Sequence, residues 1–341
     1  MPRIGAEPKP PWRRVPRAIR QATEEALDAP VARAARVWGG YAPSVTFRLI
    51  LADGRRAFFK GVDHTANALS NGQLRQAIAQ EERVYRELPD LLGAWAPAFY
   101  GSFKRADWHV LLLEDVGPTS VPPWTDAKAR HAARSYGDFH RATFGRALPR
   151  WLPRRRRWEP FGAFWQGLAG EPGGLEGVAS LAGDRAGEAR AWLVAALPVL
   201  REASAGLARV RAPYSFLHFD TRSDNLRIGG NRVRIFDWNH ACVGPPEFDA
   251  AAIAQSVACE GGPAPEQFMA WYAERQAVRD VILDRVVAAI AGYFANGAWR
   301  PAVPGLPRLR SVQRCQLRAS LAWAARRLDL PEPSWLQAVP E

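Results

Sequence analysis

Cysteine and methionine are scarce in this chain of 341 residues: three Cys and two Met. Lysine is rare too, and nearly all of the 46 basic residues are Arg. Cys242, Cys259 and Cys315 lie far apart, with no C-x-x-C pair and no zinc spacing. That excludes a thioredoxin-type redox motif and a cysteine zinc site, and the expectation is buried or free reduced thiols. No uninterrupted apolar run reaches the length of a bilayer span. The N-terminus has no apolar signal-peptide core, its Pro and Arg being followed by Glu24 and Glu25. A cytoplasmic protein with no membrane partner is the expectation. There is no G-x-x-x-x-G-K-[ST] sequence, which excludes a P-loop NTPase, and no internal repeat.

What is present bounds the answer further. A hydrophobic content of 48% in a chain of this length can build a large core, and the length suggests two domains. The 14 Trp and a charged content of only 23% argue against disorder. The net charge is +12 and the pI about 10.3, which raises a nucleic-acid partner. The excess of Arg over Lys, beside abundant Ala, Gly and Pro, points instead to compositional bias. The densest run, Arg154–Arg157, lies between Trp151 and Trp158. Such a patch can bind nucleic acid or phosphate, but a charge run alone is first read as a solvated loop.

Residues 1–16 read as a loose arm. A helix is expected from Pro16 through Leu27, with Ala18, Ile19, Ala22 and Ala26 on one face. After the small-residue turn Trp38-Gly39-Gly40-Tyr41-Ala42-Pro43-Ser44, Val45–Leu51 reads as a strand. Asp53-Gly54 turns it back into Arg56–Val62, which carries Lys60. Gln73–Leu88 has helical apolar spacing, with Glu81 on the apolar stripe. Strands follow near 98–104 and 108–113, and then Glu114-Asp115-Val116-Gly117-Pro118. From there the pattern turns helical: 126–143, 184–207 (kinked or split at Pro198), 265–294 and 309–328. The Gly-rich segment 169–177 reads as a surface loop. Within the helical part sit a strand at 214–217 and a hairpin, 226–228 and 233–236. The expected organisation is an N-terminal arm and helix to residue 34, a strand-rich lobe over 35–115 and a helical lobe over 116–341.

The chemistry concentrates in His218-Phe219-Asp220-Thr221-Arg222-Ser223-Asp224-Asn225 and Ile235-Phe236-Asp237-Trp238. The D-x-x-x-x-N … D layout suits phosphoryl transfer. A loop carboxylate, Asp220, can orient a hydroxyl. Asn225 and Asp237 offer the few hard oxygens that Mg²⁺ takes when phosphates and water complete its shell. Arg222 can neutralise charge on a transferring phosphoryl group, or be one more surface Arg. His218 is read as a structural brace. Lys60, on an apolar strand face, needs an anion, and Glu81 is the obvious one. Gly40 and Ser44 can present backbone N–H groups and a hydroxyl to phosphates. Taken singly, each of these residues is as well explained by a turn, a cap or a snorkelling side chain.

On these blocks the chain resembles the aminoglycoside phosphotransferase family, within the larger choline-kinase and protein-kinase-like group. The resemblance spans about residues 35–330. It rests on Gly39-Gly40, Phe58-Phe59-Lys60, Glu81, Leu113–Val116, His218 … Asn225, Phe236-Asp237-Trp238 and Phe248-Asp249. It implies an α+β, two-lobed kinase-like fold: a small antiparallel-sheet lobe with one main helix, and a larger helical lobe. It also implies ATP and Mg²⁺ as cofactors and a small-molecule hydroxyl acceptor such as an aminoglycoside, sugar, nucleoside or amino alcohol. By resemblance, the backbone of Glu114 and Val116 meets adenine, Lys60 binds phosphates and Asp220 orients the acceptor. Asn225 and Asp237 hold magnesium, and Asp249 braces the catalytic loop. Two departures stand out: Phe219 where the family usually has Gly, and Arg222 where a His often stands. The rival readings are a non-catalytic nucleotide-binding scaffold of the same fold and a nucleic-acid interactor acting through the Arg run. Nothing in the sequence fixes the oligomeric state.

Overall fold

The computed structural model describes residues 10–37, 44–65, 71–118, 120–303 and 306–340. Contacts divide the chain into two compact units. The first comprises Met1–Ser120 with Asp224–His240, the second Val121–Ser223 with Ala241–Glu341.

The first unit is built on a five-stranded antiparallel sheet. Its strands are β1 (Val31–Arg36), β2 (Val45–Leu51), β3 (Arg56–Asp63), β4 (Phe99–Arg105) and β5 (Trp108–Glu114), in the order β1-β2-β3-β5-β4. Asp53-Gly54 makes the expected hairpin: Gly54 takes φ 84°, and Asp53 Oδ1 accepts the Arg55 amide at 2.9 Å. Alternation along β2 and β3 puts Phe47, Leu49 and Phe59 into one cluster with Val110 and Leu112. Helix α1 (Arg17–Leu27) supplies Ile19 and Leu27 to that cluster. The buried face of α1 is Ile19, Ala22, Thr23 and Leu27, whereas Ala18 and Ala26, expected inside, are exposed. The arm is also less loose than its composition suggests from Pro10 on. Trp12 sets its ring edge-on to Phe47 (5.1 Å) and Phe59 (5.2 Å). Helix α2 (Asn71–Glu87) gives Ile78 to a second cluster, with Val62 and Leu111. The hairpin of β7 (Leu226–Gly229) and β8 (Arg232–Ile235) belongs to this unit, although it comes late in the chain.

The second unit is mainly helical. Its long helices are α3 (Asp126–Thr143), α4 (Ala186–Ala205), α5 (Glu247–Cys259), α6 (Pro265–Ala273), α7 (Asp280–Ala298) and α8 (Leu309–Arg327). A short strand pair, β6 (Ser215–Leu217) with β9 (Cys242–Gly244), leads into the 218–223 loop.

Several expectations change on tertiary grounds. The helix expected over 265–294 is two, because Glu247 takes the Arg279 amide (3.1 Å) and its guanidinium (2.8 Å), so that amide leaves the helical ladder. Pro198 does not split α4. The carbonyl one turn back that loses its donor belongs to Val194, whose residue is 51% exposed. The segment 169–177 is a loop only at residues 171–173: a short helix ends at Gly170 and another runs from Gly174 to Ser180. A Cβ at Gly174 would strike the Leu168 carbonyl, and one at Gly177 the Trp299 ring. Cys259 and Cys315 form a disulfide, with Cα atoms 5.6 Å apart, instead of the expected thiols; α5 and α8 bring them together. Cys242 is free and buried. Two helical segments, residues 183–209 and Asp280–Ala298, are long and apolar enough to cross a membrane by length and composition alone. Ten residues of α7 are buried, as in the core helix of a folded domain.

Candidate active site

Lys60 sits in mid-β3 opposite Leu111 of β5, on the face that carries Val62. Its ammonium is buried, and a bare charge there would be costly. Two carboxylates meet it: Glu81 Oε2 from α2 at 2.6 Å and Asp237 Oδ1 at 2.7 Å. Burial by itself lowers the lysine pKa, but Asp237 and Glu81 together outweigh it and hold the group above the ordinary lysine value. Glu81 is pushed the other way. Burial raises its pKa, Lys60 lowers it and Asp237 raises it again, leaving it at about 7. Its Oε1 is buried with no hydrogen-bond partner among the described residues, which a charged carboxylate tolerates poorly. Glu82, one residue on, serves elsewhere: His109 Nε2 lies 2.8 Å from it, and Ser102 and Arg86 donate to it.

Asp237 follows β8, and Asn225 immediately precedes β7. The hairpin register therefore returns the chain from one to the other, and the Phe236 amide donates to the Asn225 carbonyl at 3.0 Å. Asn225 is buried, and Asp237 keeps 20% of its side chain exposed. Asp237 holds the left-handed φ of 71°, uncommon for a residue with a side chain. Its second carboxylate oxygen and the Asn225 amide oxygen are hard donors. Among the described residues there is no group of three or more His, Cys, Asp or Glu able to enclose a metal. Any cation here must take its remaining ligands from elsewhere, which is how Mg²⁺ behaves on phosphates.

The segment after β5 is pinned by a residue the sequence did not single out. The Asp115 carboxylate, 2% exposed, accepts from Arg48 (2.8 Å), Arg56 (3.1 Å) and the Gly117 amide (3.1 Å). That fixes the backbone on either side, at Glu114 and Val116. Ser44 is buried just before β2. Gly40 lies outside the described residues.

In the second unit the loop after β6 is held by Asp249, the third residue of α5. Its carboxylate accepts the amides of His218 (2.7 Å) and Phe219 (2.9 Å), and its carbonyl accepts from Thr221 Oγ1 (3.1 Å). His218 is fully buried, and its Nδ1 accepts the Asp220 amide at 3.2 Å. The imidazole thus braces the loop, as expected from the sequence. Asp220 ends up partly exposed, with an Arg222 nitrogen 3.4 Å from its Oδ2. Further along, Ser223 donates to Glu260, which also accepts from Trp124 Nε1 at 2.7 Å. Neither Glu260 nor Trp124 has a sequence signal, because the contact joins α5's end to a loop far upstream. Phe219, between His218 and Asp220, has φ 68°. This backbone conformation favours glycine, so the phenyl ring is carried at a cost of about 1 kcal/mol or more.

The Arg154–Arg157 run is partly spent on the protein itself. Arg154 donates to the Leu148 carbonyl, and Arg155 to Val210, Ala208 and Glu159. Only Arg156 is exposed. Arg157 packs over the Phe219 ring.

No match was found among curated proteins. Among solved structures the chain is similar to spectinomycin phosphotransferase APH(9)-Ia in complex with ADP and spectinomycin. The TM-score is 0.57 at 12% identity, over 94% of this chain and 97% of that one. A choline/ethanolamine kinase family protein from Mesorhizobium loti aligns with TM-score 0.54 at 18% identity, covering 90% and 92%. The amicoumacin kinase hAmiN, in complex with AMP-PNP, Ca²⁺ and Ami, aligns with TM-score 0.52 at 12% identity, covering 94% and 93%. At these identities the likeness establishes the kinase-like fold. The phosphotransferase enzyme family (APH) matches over residues 33–281, most of the chain, and the chain belongs to that family.

Proposed function

We propose that this phosphotransferase moves the γ-phosphoryl group of ATP to a hydroxyl of a small molecule, with Mg²⁺. The observation that carries the reading is the buried Lys60 ammonium held by Glu81 and Asp237. A lysine fixed by a helix carboxylate is the device that presents an ammonium to nucleotide phosphates. Backbone groups at Glu114 and Val116, steadied by Asp115, would receive the adenine edge, with Gly40 and Ser44 near the phosphates.

Asn225 and Asp237 would hold the magnesium ion through an amide and a carboxylate oxygen. When bound, that ion supplies positive charge to the phosphate oxygens. Asp220 accepts the hydrogen bond of the acceptor hydroxyl, aims its oxygen at the γ-phosphorus and takes its proton. The new oxygen–phosphorus bond forms as the bond to the bridging oxygen breaks, and ADP leaves. Arg222, beside Asp220, offsets charge on the group in transit. Asp249 and His218 keep the loop amides in place without touching the reactants.

The test is an ATP-consumption screen over hydroxyl-bearing metabolites and antibiotics, with Asp220→Ala as control. A drop of about 100-fold or more in kcat, at unchanged ADP affinity, is expected for the variant. Turnover near wild type in Asp220→Ala would sink the mechanism.

A further inference from the structure

The aromatic rings beside Asp220 are not needed by the chemistry above. Phe161 is their hub, with centroids 5.4 Å from Phe219, 5.3 Å from Phe248, 5.2 Å from Tyr293 and 5.3 Å from Phe164. Phe248 is buried, but Phe161, Phe164 and Phe219 are only partly so, and Tyr293 is 38% exposed. A core cluster would be closed on every side. This one leaves ring surface open next to the candidate base. One of its members, Phe219, is also the residue held in a left-handed conformation. Glycine would relieve that strain and remove the ring.

The charges around the same point are unbalanced. Arg222 lies 3.4 Å from Asp220 and offsets it. The Arg157 guanidinium stands 5.9 Å from the Phe219 centroid. Among the described residues it has no carboxylate within ion-pair distance, and its Nε is buried without a hydrogen-bond partner. Burial lowers its pKa, while Cys242 and Asp220 raise it, so it lies within electrostatic reach of Asp220. One cation therefore remains uncompensated beside one Asp–Arg pair. A polycationic acceptor would be repelled there, and a monoanion would complete the set.

We propose that the acceptor is a hydroxy acid with an aromatic or similarly flat apolar body. Its body rests on the Phe161–Phe219–Tyr293 surface, and its carboxylate meets Arg157. The assignment rests on Asp220 as the residue that receives the acceptor hydroxyl. A monocarboxylate fits better than a phosphate dianion, because a single guanidinium is left over. Arg157 thereby acts in specificity and leaves the transfer step to other residues.

The test uses three probes that share a phenyl ring and a hydroxyl: 3-phenyllactate (anionic), 3-phenylpropane-1,2-diol (neutral) and phenylalaninol (cationic). Binding to the full-length protein is measured by calorimetry with no nucleotide present. The anion should bind about tenfold tighter than the diol, and the cation weaker than both. Arg157→Gln should bring anion and diol within about twofold of each other, and Arg157→Lys should keep the order. Phe219→Gly should weaken all three by a similar factor and leave ADP binding unchanged. A purely packing role for Arg157 would leave the charge order intact in Arg157→Gln, and that result overturns the proposal. So does phenylalaninol binding as tightly as phenyllactate, or no binding of any probe. Phosphate transfer is scored separately. Charge-ordered binding without transfer from ATP counts against the kinase reading alone. Transfer to phenylalaninol in preference to phenyllactate overturns the acceptor assignment alone.

Discussion

Replacing Glu81 by glutamine should flatten the pH dependence of stability that this carboxyl imposes on the protein. Glu81 titrates at 4.5 in the unfolded chain and at about 7 in the folded one, since burial disfavours its charge more than Lys60 favours it. Between those values the folded protein holds a proton that the unfolded chain has released. Its contribution is fully present below pH 4.5 and is lost as pH rises through about 7. At about 1.36 kcal/mol per pH unit, the interval amounts to roughly 3 kcal/mol. Most of that, roughly 2–3 kcal/mol, falls between pH 5 and pH 8. In Glu81→Gln the amide binds no proton, keeps an oxygen for the Lys60 ammonium and leaves Asp237 in place. Other titrating groups are common to both proteins and cancel in the difference. Denaturant unfolding of both proteins at pH 5 and pH 8 gives the quantity directly. The variant should gain on wild type by about 2–3 kcal/mol from pH 5 to pH 8. A change below about 1 kcal/mol, or one of opposite sign, would refute the assignment of a raised pKa to Glu81. The same variant should bind ADP more weakly, because the ammonium then keeps Asp237 as its one charged partner and a neutral amide oxygen in place of Glu81.

Other substitutions probe the remaining parts. Asp249→Asn sets an amide N–H₂ against one of the two loop amides it now accepts. It should cost about 1–3 kcal/mol and lower kcat about tenfold, with ATP KM unchanged; unfolding and steady-state kinetics check both. Asp237→Asn should raise the Mg²⁺ concentration for half-maximal rate by about tenfold or more, read from a metal titration at saturating ATP. Gly174→Ala pushes a methyl group onto the Leu168 carbonyl. It should destabilise the protein by about 1–3 kcal/mol while leaving turnover per folded molecule as it was.

Local rules carry far in this chain. The Asp53-Gly54 hairpin, the edges of α3 and the stripe that places Glu81 inward all follow from turn chemistry and periodicity. Lys60 and Glu81 pair on the argument that a lysine on an apolar face needs an anion, and they lie 2.6 Å apart. Where local preference misleads, a distant contact has overruled it. β1, Val-Ala-Arg-Ala-Ala-Arg, has no strand pattern of its own and is drawn into the sheet by β2. The break between α6 and α7 is set by Glu247, which lies far upstream. The helix at Gly174–Ser180 replaces a loop because its glycines permit close packing rather than freedom.

Reading along the chain is enough for most of the elements, for the spacing of Asp220, Asn225 and Asp237, and for the presence of a lysine that has to be neutralised. These are consequences of local geometry and of the cost of burying charge, and both are written in neighbouring residues. It takes the folded chain to show that Asp237 shares Lys60 with Glu81, and that Asp115 and Asp249 each gather backbone amides. The same holds for Phe219, forced left-handed and joined through Phe161 to Tyr293, with Arg157 above it. Those depend on which side chains meet after long loops close, and no periodicity encodes that. The features that bear on what the protein accepts belong to this second group.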